Sequence, residues 1–145
     1  MARYTVLIVG LIAVLGRVGI ETASFAAILA AAGFAIGMQQ MIDAVVAAGK
    51  QVYLANVPPI PGASTEQDTR IREYNLVIDE LMLDPANVAS GLVRNGPDFY
   101  TYFSSNPDEM CTPPPPPGER CYHPTGVGYA SMGRLWSESL IGVLK

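Results

Sequence analysis

Histidine is nearly absent from this chain, with His123 the only one among 145 residues. Cysteine occurs twice, as Cys111 and Cys121, and there is neither a CxxC pair nor a His-rich stretch. A zinc site usually takes three or four Cys, His or acidic ligands, so no metal centre is expected, and no cofactor either. Charge is also scarce. Asp, Glu, Lys and Arg make up 15% of the chain, and residues 1–40 carry only Arg3, Arg17 and Glu21. The rest holds seven basic and twelve acidic groups, so the acidic balance (pI ≈ 4.8) belongs to the C-terminal part. That balance, without a Lys/Arg cluster, argues against nucleic acid as a partner. The length suits one modest domain and is too short for two ordinary ones.

What fills the space left by charge is a long apolar N-terminus. Tyr4 to Leu15 is a continuous apolar run, Arg17 interrupts it, and Val18 to Met38 is a second run rich in Ala and Gly. Neither has a polar stripe, so each belongs in lipid or in a deep core rather than on a protein surface. The second run is long enough for a hydrocarbon layer of ~30 Å and the first is short for one. Small residues at Ala23, Ala27, Ala30, Gly33 and Gly37 recur every three or four positions, the spacing that lets helices approach closely in lipid. A signal peptide and a buried core helix are the other readings. The apolar stretch continues beyond a normal cleavage region, and a membrane segment over residues 4–38 is preferred.

The string LGRVGIETASFAAILAAAGFAIGM resembles the pore-lining helix of the small-conductance mechanosensitive channel family. The Leu-Gly-Arg-Val-Gly lead-in and the Ala-Ala-Gly spacing occur together, over roughly residues 4–38. After Met38 that pattern stops. The resemblance implies a membrane location, the inner membrane in a bacterium, with a secreted or periplasmic protein as the alternative.

From Gln39 the texture changes, which places a domain boundary between residues 1–39 and 40–145. Met41, Ile42, Val45 and Val46 sit at helical spacing, with Gly49 where a C-cap belongs. Lys50 to Asn56 alternates like a strand and is ended by Pro58, Pro59 and Pro61. Ser64 to Asp68 offers N-caps for a helix with Ile71, Tyr74, Ile78, Leu81 and Met82 on one face, stopped at Asp84-Pro85. Gly91 to Asn106 is ambiguous. Pro113 to Pro117 predicts a polyproline II loop. Thr125 is an N-cap candidate for a last helix whose inner face is expected at Tyr129, Met132, Trp136, Leu140 and Leu144. A helix, a turn and a strand make half of a β/α crossover unit, which points to the α/β class.

Chemistry could reside in Cys121-Tyr122-His123-Pro124-Thr125-Gly126-Val127-Gly128-Tyr129. A histidine fixed by a Pro turn just before a helix can serve as a general base; a solvated loop histidine is the plainer alternative. HPTGVGYASMGRLW resembles the last block of SGNH (GDSL-type) ester hydrolases. MIDAVVAAGKQVYLANVPPI, IREYNLVIDEL and PDFYTYFSSNPDE resemble preceding segments of that family in the right order, over about residues 40–145. The resemblance implies an incomplete flavodoxin-like three-layer α/β/α domain with an exposed strand edge, acting on an acyl-ester substrate by a serine esterase mechanism. His123 takes the general-base position. Arg120 stands where the family's acid usually sits, and Glu119, one residue away, is the substitute. The Gly-Asp-Ser nucleophile block and the Gly and Asn oxyanion blocks are missing, so this chain alone is expected to be inactive; a membrane-embedded structural or channel-like protein and a non-functional fusion fragment are the alternatives.

Cys111 and Cys121 flank a nine-residue loop with five consecutive prolines. Outside the cytoplasm a disulfide there is plausible, worth about 2–3 kcal/mol in the chain-entropy model; inside it, two reduced thiols are the default.

Overall fold

A computed structural model describes residues 22–110 and 122–141, together with Gly10, Val14 and Arg17. The first apolar run (apart from Gly10 and Val14), Cys111, the polyproline loop, Glu119, Arg120, Cys121 and Leu144 lie outside the described residues. The chain divides into two compact units, Met1–Gly33 and Phe34–Lys145.

Helix α1 covers Thr22–Ala47 and is uninterrupted at Gln39 and Gln40. No proline and only one charged residue, Asp43, fall within it. It ends as expected at Gly49, whose φ of +67° suits a residue without Cβ and whose N–H donates to the Val46 carbonyl at 2.9 Å. Within Phe34–Lys145 the order is then β1 (Val52–Leu54), α2 (Thr65–Leu83), α3 (Pro85–Ser90), β2 (Val93–Asn95), α4 (Phe99–Ser105), a 3-10 turn (Pro107–Glu109) and α5 (Gly126–Ile141).

Strands β1 and β2 pair in parallel, with Val52 opposite Val93 and Leu54 opposite Asn95. Helix α2 makes the crossover between them. Ser64 begins it with a complete capping box: its hydroxyl accepts from the Gln67 N–H, and the Gln67 side chain accepts from the Ser64 N–H. Asp84 ends α2 and starts α3, where its carboxylate accepts from the N–H groups of Ala86 and Asn87.

The fold-class expectation needs correcting in extent. The described residues form a mostly helical chain with one two-stranded parallel sheet, and two strands are not the central layer of a three-layer domain. The expectation for the last helix is corrected too. Tyr129 and Leu140 are exposed, while Met132, Leu135 and Trp136 pack on the cluster of Phe99, Phe103 and Met110. In the first turn the buried position is Gly128, which lies against the Glu109 carbonyl and which a search for apolar side chains passes over.

The core has two clusters. Ile42, Leu54 and Ile78 are buried together, covered by Phe34, Met38, Val46 and the flanking residues of β1, β2 and α2. Phe99, Phe103 and Met110 form the other, against Ala55, Met132, Leu135 and Trp136. The Trp136 ring meets Phe99 edge-on at 6.1 Å.

Candidate functional site

His123 sits in the short turn before α5, exposed to solvent. No hydrogen bond or ion pair reaches it from the described residues. What holds the turn is the carbonyl of Glu109. It accepts from the Thr125 N–H at 2.8 Å and from the Thr125 hydroxyl at 2.9 Å, while the same hydroxyl oxygen accepts from the Gly128 N–H at 3.1 Å. Thr125 is thus the expected N-cap and also the tether of the turn. Gly128 makes this possible: a Cβ there would fall on the Glu109 carbonyl oxygen and 2.9 Å from the Pro124 Cβ. The Glu109 side chain is held in turn by the Tyr102 hydroxyl, at 3.2 Å to Oε1, and that hydroxyl also meets Ser131 Oγ at 3.1 Å. The turn that carries the imidazole is therefore anchored at Thr125 and Gly128.

Glu119 and Arg120 lie outside the described residues. Ser64 is engaged as an N-cap and Ser131 with Tyr102.

A second polar feature was not foreseen from the sequence. At the C-terminal ends of β1 and β2 lies a cavity of about 140 Å³, bordered by Leu54, Asn56, Asp79, Asn95 and Asp98. Asn56 Nδ2 donates to Asp98 Oδ1 at 2.7 Å, and Asn56 Oδ1 accepts from the Tyr100 N–H at 2.9 Å. Desolvation pushes the Asp98 carboxyl up, but hydrogen bonds from Thr101, Asn56 and the Tyr100 N–H outweigh it and hold it below the ordinary carboxylate range. Asp98 also caps α4 through the Thr101 N–H at 2.9 Å. The two Asn56 contacts tie the segment after β1 to α4, so the pair is a structural clasp at the rim of the cavity. Only the pairing of strands brings Asn56 and Asp98 together, which is why neither stood out in the sequence.

The third feature is α1. Its segment Leu29–Ala47, 19 residues with a mean hydropathy of 1.4, is long and apolar enough to cross a membrane. Leu29, Ile36 and Met41 are exposed large apolar side chains on it. From Phe34 onward the helix also has a partnered face. Phe34, Met38, Ile42 and Val46, four residues apart, pack on the cluster of Leu54 and Ile78. Beside them Gln39 and Asn87 exchange amide hydrogen bonds, both at 3.0 Å, and Asn87 donates also to the Leu81 carbonyl.

Compared with known proteins, residues 1–38 match a family model described as mechanosensitive ion channel, transmembrane helices 2/3. No curated protein and no solved structure matches. The match agrees with the channel-like character expected of the N-terminal segment, and together with the apolar helix it supports a membrane location. Nothing in the comparisons corresponds to the ester-hydrolase resemblance of residues 40–145.

Proposed function

We propose that this chain is a membrane-embedded structural protein, held in lipid by a channel-like N-terminal segment and carrying a small α/β unit. In a bacterium its place is the inner membrane. The observation that carries this reading is the match of residues 1–38 to channel transmembrane helices, in a stretch where Arg3, Arg17 and Glu21 are the only charges. Apolar exposure on α1 adds to it, because Leu29 and Ile36 gain nothing from water. Membranes from cells expressing the full chain, washed with alkaline carbonate, should keep the protein in the pellet. Its release into the supernatant would refute the reading.

A second reading concerns residues 40–145 and is favoured by one specific arrangement, an anchored His-Pro turn following a parallel β-α-β unit. On this reading the unit is the C-terminal part of an SGNH-type ester hydrolase, with His123 as general base and Glu119 as its low-grade acid partner. An acyl ester would be the substrate class. The sequence holds no Gly-Asp-Ser block, so no serine is positioned for the histidine to activate. The purified chain should therefore turn over a short-chain p-nitrophenyl ester no faster than free imidazole does. Saturable turnover that His123→Ala abolishes would mean a nucleophile supplied from elsewhere, and would restore an enzymatic function.

A further inference from the structure

We infer that the lipid boundary on α1 falls between Phe34 and Gln39, so that the last turns of the helix lie on the water side. By composition alone Leu29–Ala47 could be a membrane span. The packing divides that stretch. Ile42 is 1% exposed, against protein rather than lipid, and Phe34, Met38 and Val46 cover the same cluster. Gln39 is paired with Asn87, which is 4% exposed, and its Nε2 also donates to Asp43 Oδ1 at 2.7 Å. Moving this part of the helix into hydrocarbon would strip the cover from Leu54 and Ile78. It would also carry Asp43, the helix's only charge, into lipid and leave the Asn87 amide buried without its partner. None of these ties involves a residue before Phe34, where the Phe34–Lys145 unit begins. The family match stops at residue 38, just before the first residue of the amide pair.

The inference rests on the membrane reading above, and thiol labelling separates the two. In a full chain with Cys111→Ser and Cys121→Ser, Leu29→Cys and Met41→Cys are compared in lipid bicelles with a charged maleimide. Both side chains are exposed in the structure, Leu29 at 48% and Met41 at 58%, so neither change disturbs the core. Met41→Cys should label as fast as the same thiol in urea-unfolded chain, and Leu29→Cys should be protected. Protection at both positions would overturn the boundary while leaving the membrane reading in place. Labelling at both would overturn the membrane reading and the boundary with it. Charge gives an independent check: Leu29→Lys should lower the membrane-to-soluble ratio by about 100-fold, a cost typical of lysine at a span's centre, and Met41→Lys should leave it unchanged. Equal loss for the two lysine variants would contradict the boundary.

Discussion

Two glycine-to-alanine changes in the same helix should have opposite effects on stability. At Gly133 nothing lies within 4 Å of a new Cβ, so alanine gains helix propensity, about 0.5–1 kcal/mol, at no steric cost. At Gly128 the same gain meets the Glu109 carbonyl, with its carbon 3.0 Å from the new Cβ and the Pro124 Cβ at 2.9 Å. The obstacle is mainly backbone, which cannot rotate away as a side chain can. Either α5 shifts outward or the carbonyl does, at an overpacking cost of about 1–3 kcal/mol. Both Thr125 hydrogen bonds to that carbonyl then lengthen, for roughly 1 kcal/mol each at most. The net loss is about 2–3 kcal/mol, which at about 4 °C per kcal/mol lowers Tm by roughly 10 °C. Thermal unfolding of the full chain in mild detergent can be followed by fluorescence of Trp136, the only tryptophan, which reports the docking of α5 on Phe99. Gly133→Ala should melt slightly above wild type and Gly128→Ala well below it. If Gly128→Ala melts at or above wild type, the close approach to Glu109 does not hold the His123 turn.

Other perturbations test the unit from different sides. Asn75, buried in α2, accepts from the Val57 N–H at 2.7 Å and donates to the Val57 carbonyl at 3.0 Å, so Asn75→Ala should cost about 2–4 kcal/mol. Urea unfolding should show its midpoint lowered by about 1–2 M, and a change below 0.5 M would be too small for two lost partners, on typical m-values of about 1–3 kcal/mol/M. Asp98→Ala should destabilise the chain at neutral pH. Because the folded carboxyl titrates below its unfolded value, that contribution is full above the unfolded pKa of about 4 and is lost as pH falls through the folded one, so the gap between variant and wild type should narrow under acid. A gap that widens under acid would contradict the clasp of Asn56 and Asp98. Asn87→Ala should loosen α1 from the unit and expose Ile42, seen as faster hydrogen exchange at residues 38–47; unchanged exchange there would refute the role given to the amide pair.

Local signals carried most of what could be read in advance. A helix start within Ser64 to Asp68, the Asp84-Pro85 stop, the Gly49 terminus and the Thr125 cap each depend on residues within one helical turn, and each stands where the spacing put it. Features made by distant residues were not legible. Val93–Asn95 is only three residues long and is a strand because β1 lies beside it. Asn75 and Asn87 look like surface residues until Val57, Leu81 and Gln39 are brought to them. The region 91–106 hid α4 because its cap, Asp98, also serves Asn56 from 42 residues away. The apolar uniformity of α1 concealed its division of labour, since Phe34, Met38, Ile42 and Val46 differ from Ile36 and Met41 only in what lies opposite them. The His123 turn was visible as a motif, but what fixes it, the Glu109 carbonyl, belongs to a 3-10 turn sixteen residues before Thr125.

Quenching by brominated lipid tests the central claim most directly. A Leu29→Trp variant in a Trp136→Phe background places a single fluorophore in the proposed span, and the wild-type chain carries its tryptophan in the α/β unit. In vesicles with bromine at the middle of the acyl chain, Leu29→Trp fluorescence should be strongly quenched and Trp136 fluorescence unchanged. An unquenched Leu29→Trp would show that the segment does not enter the bilayer and would contradict the account.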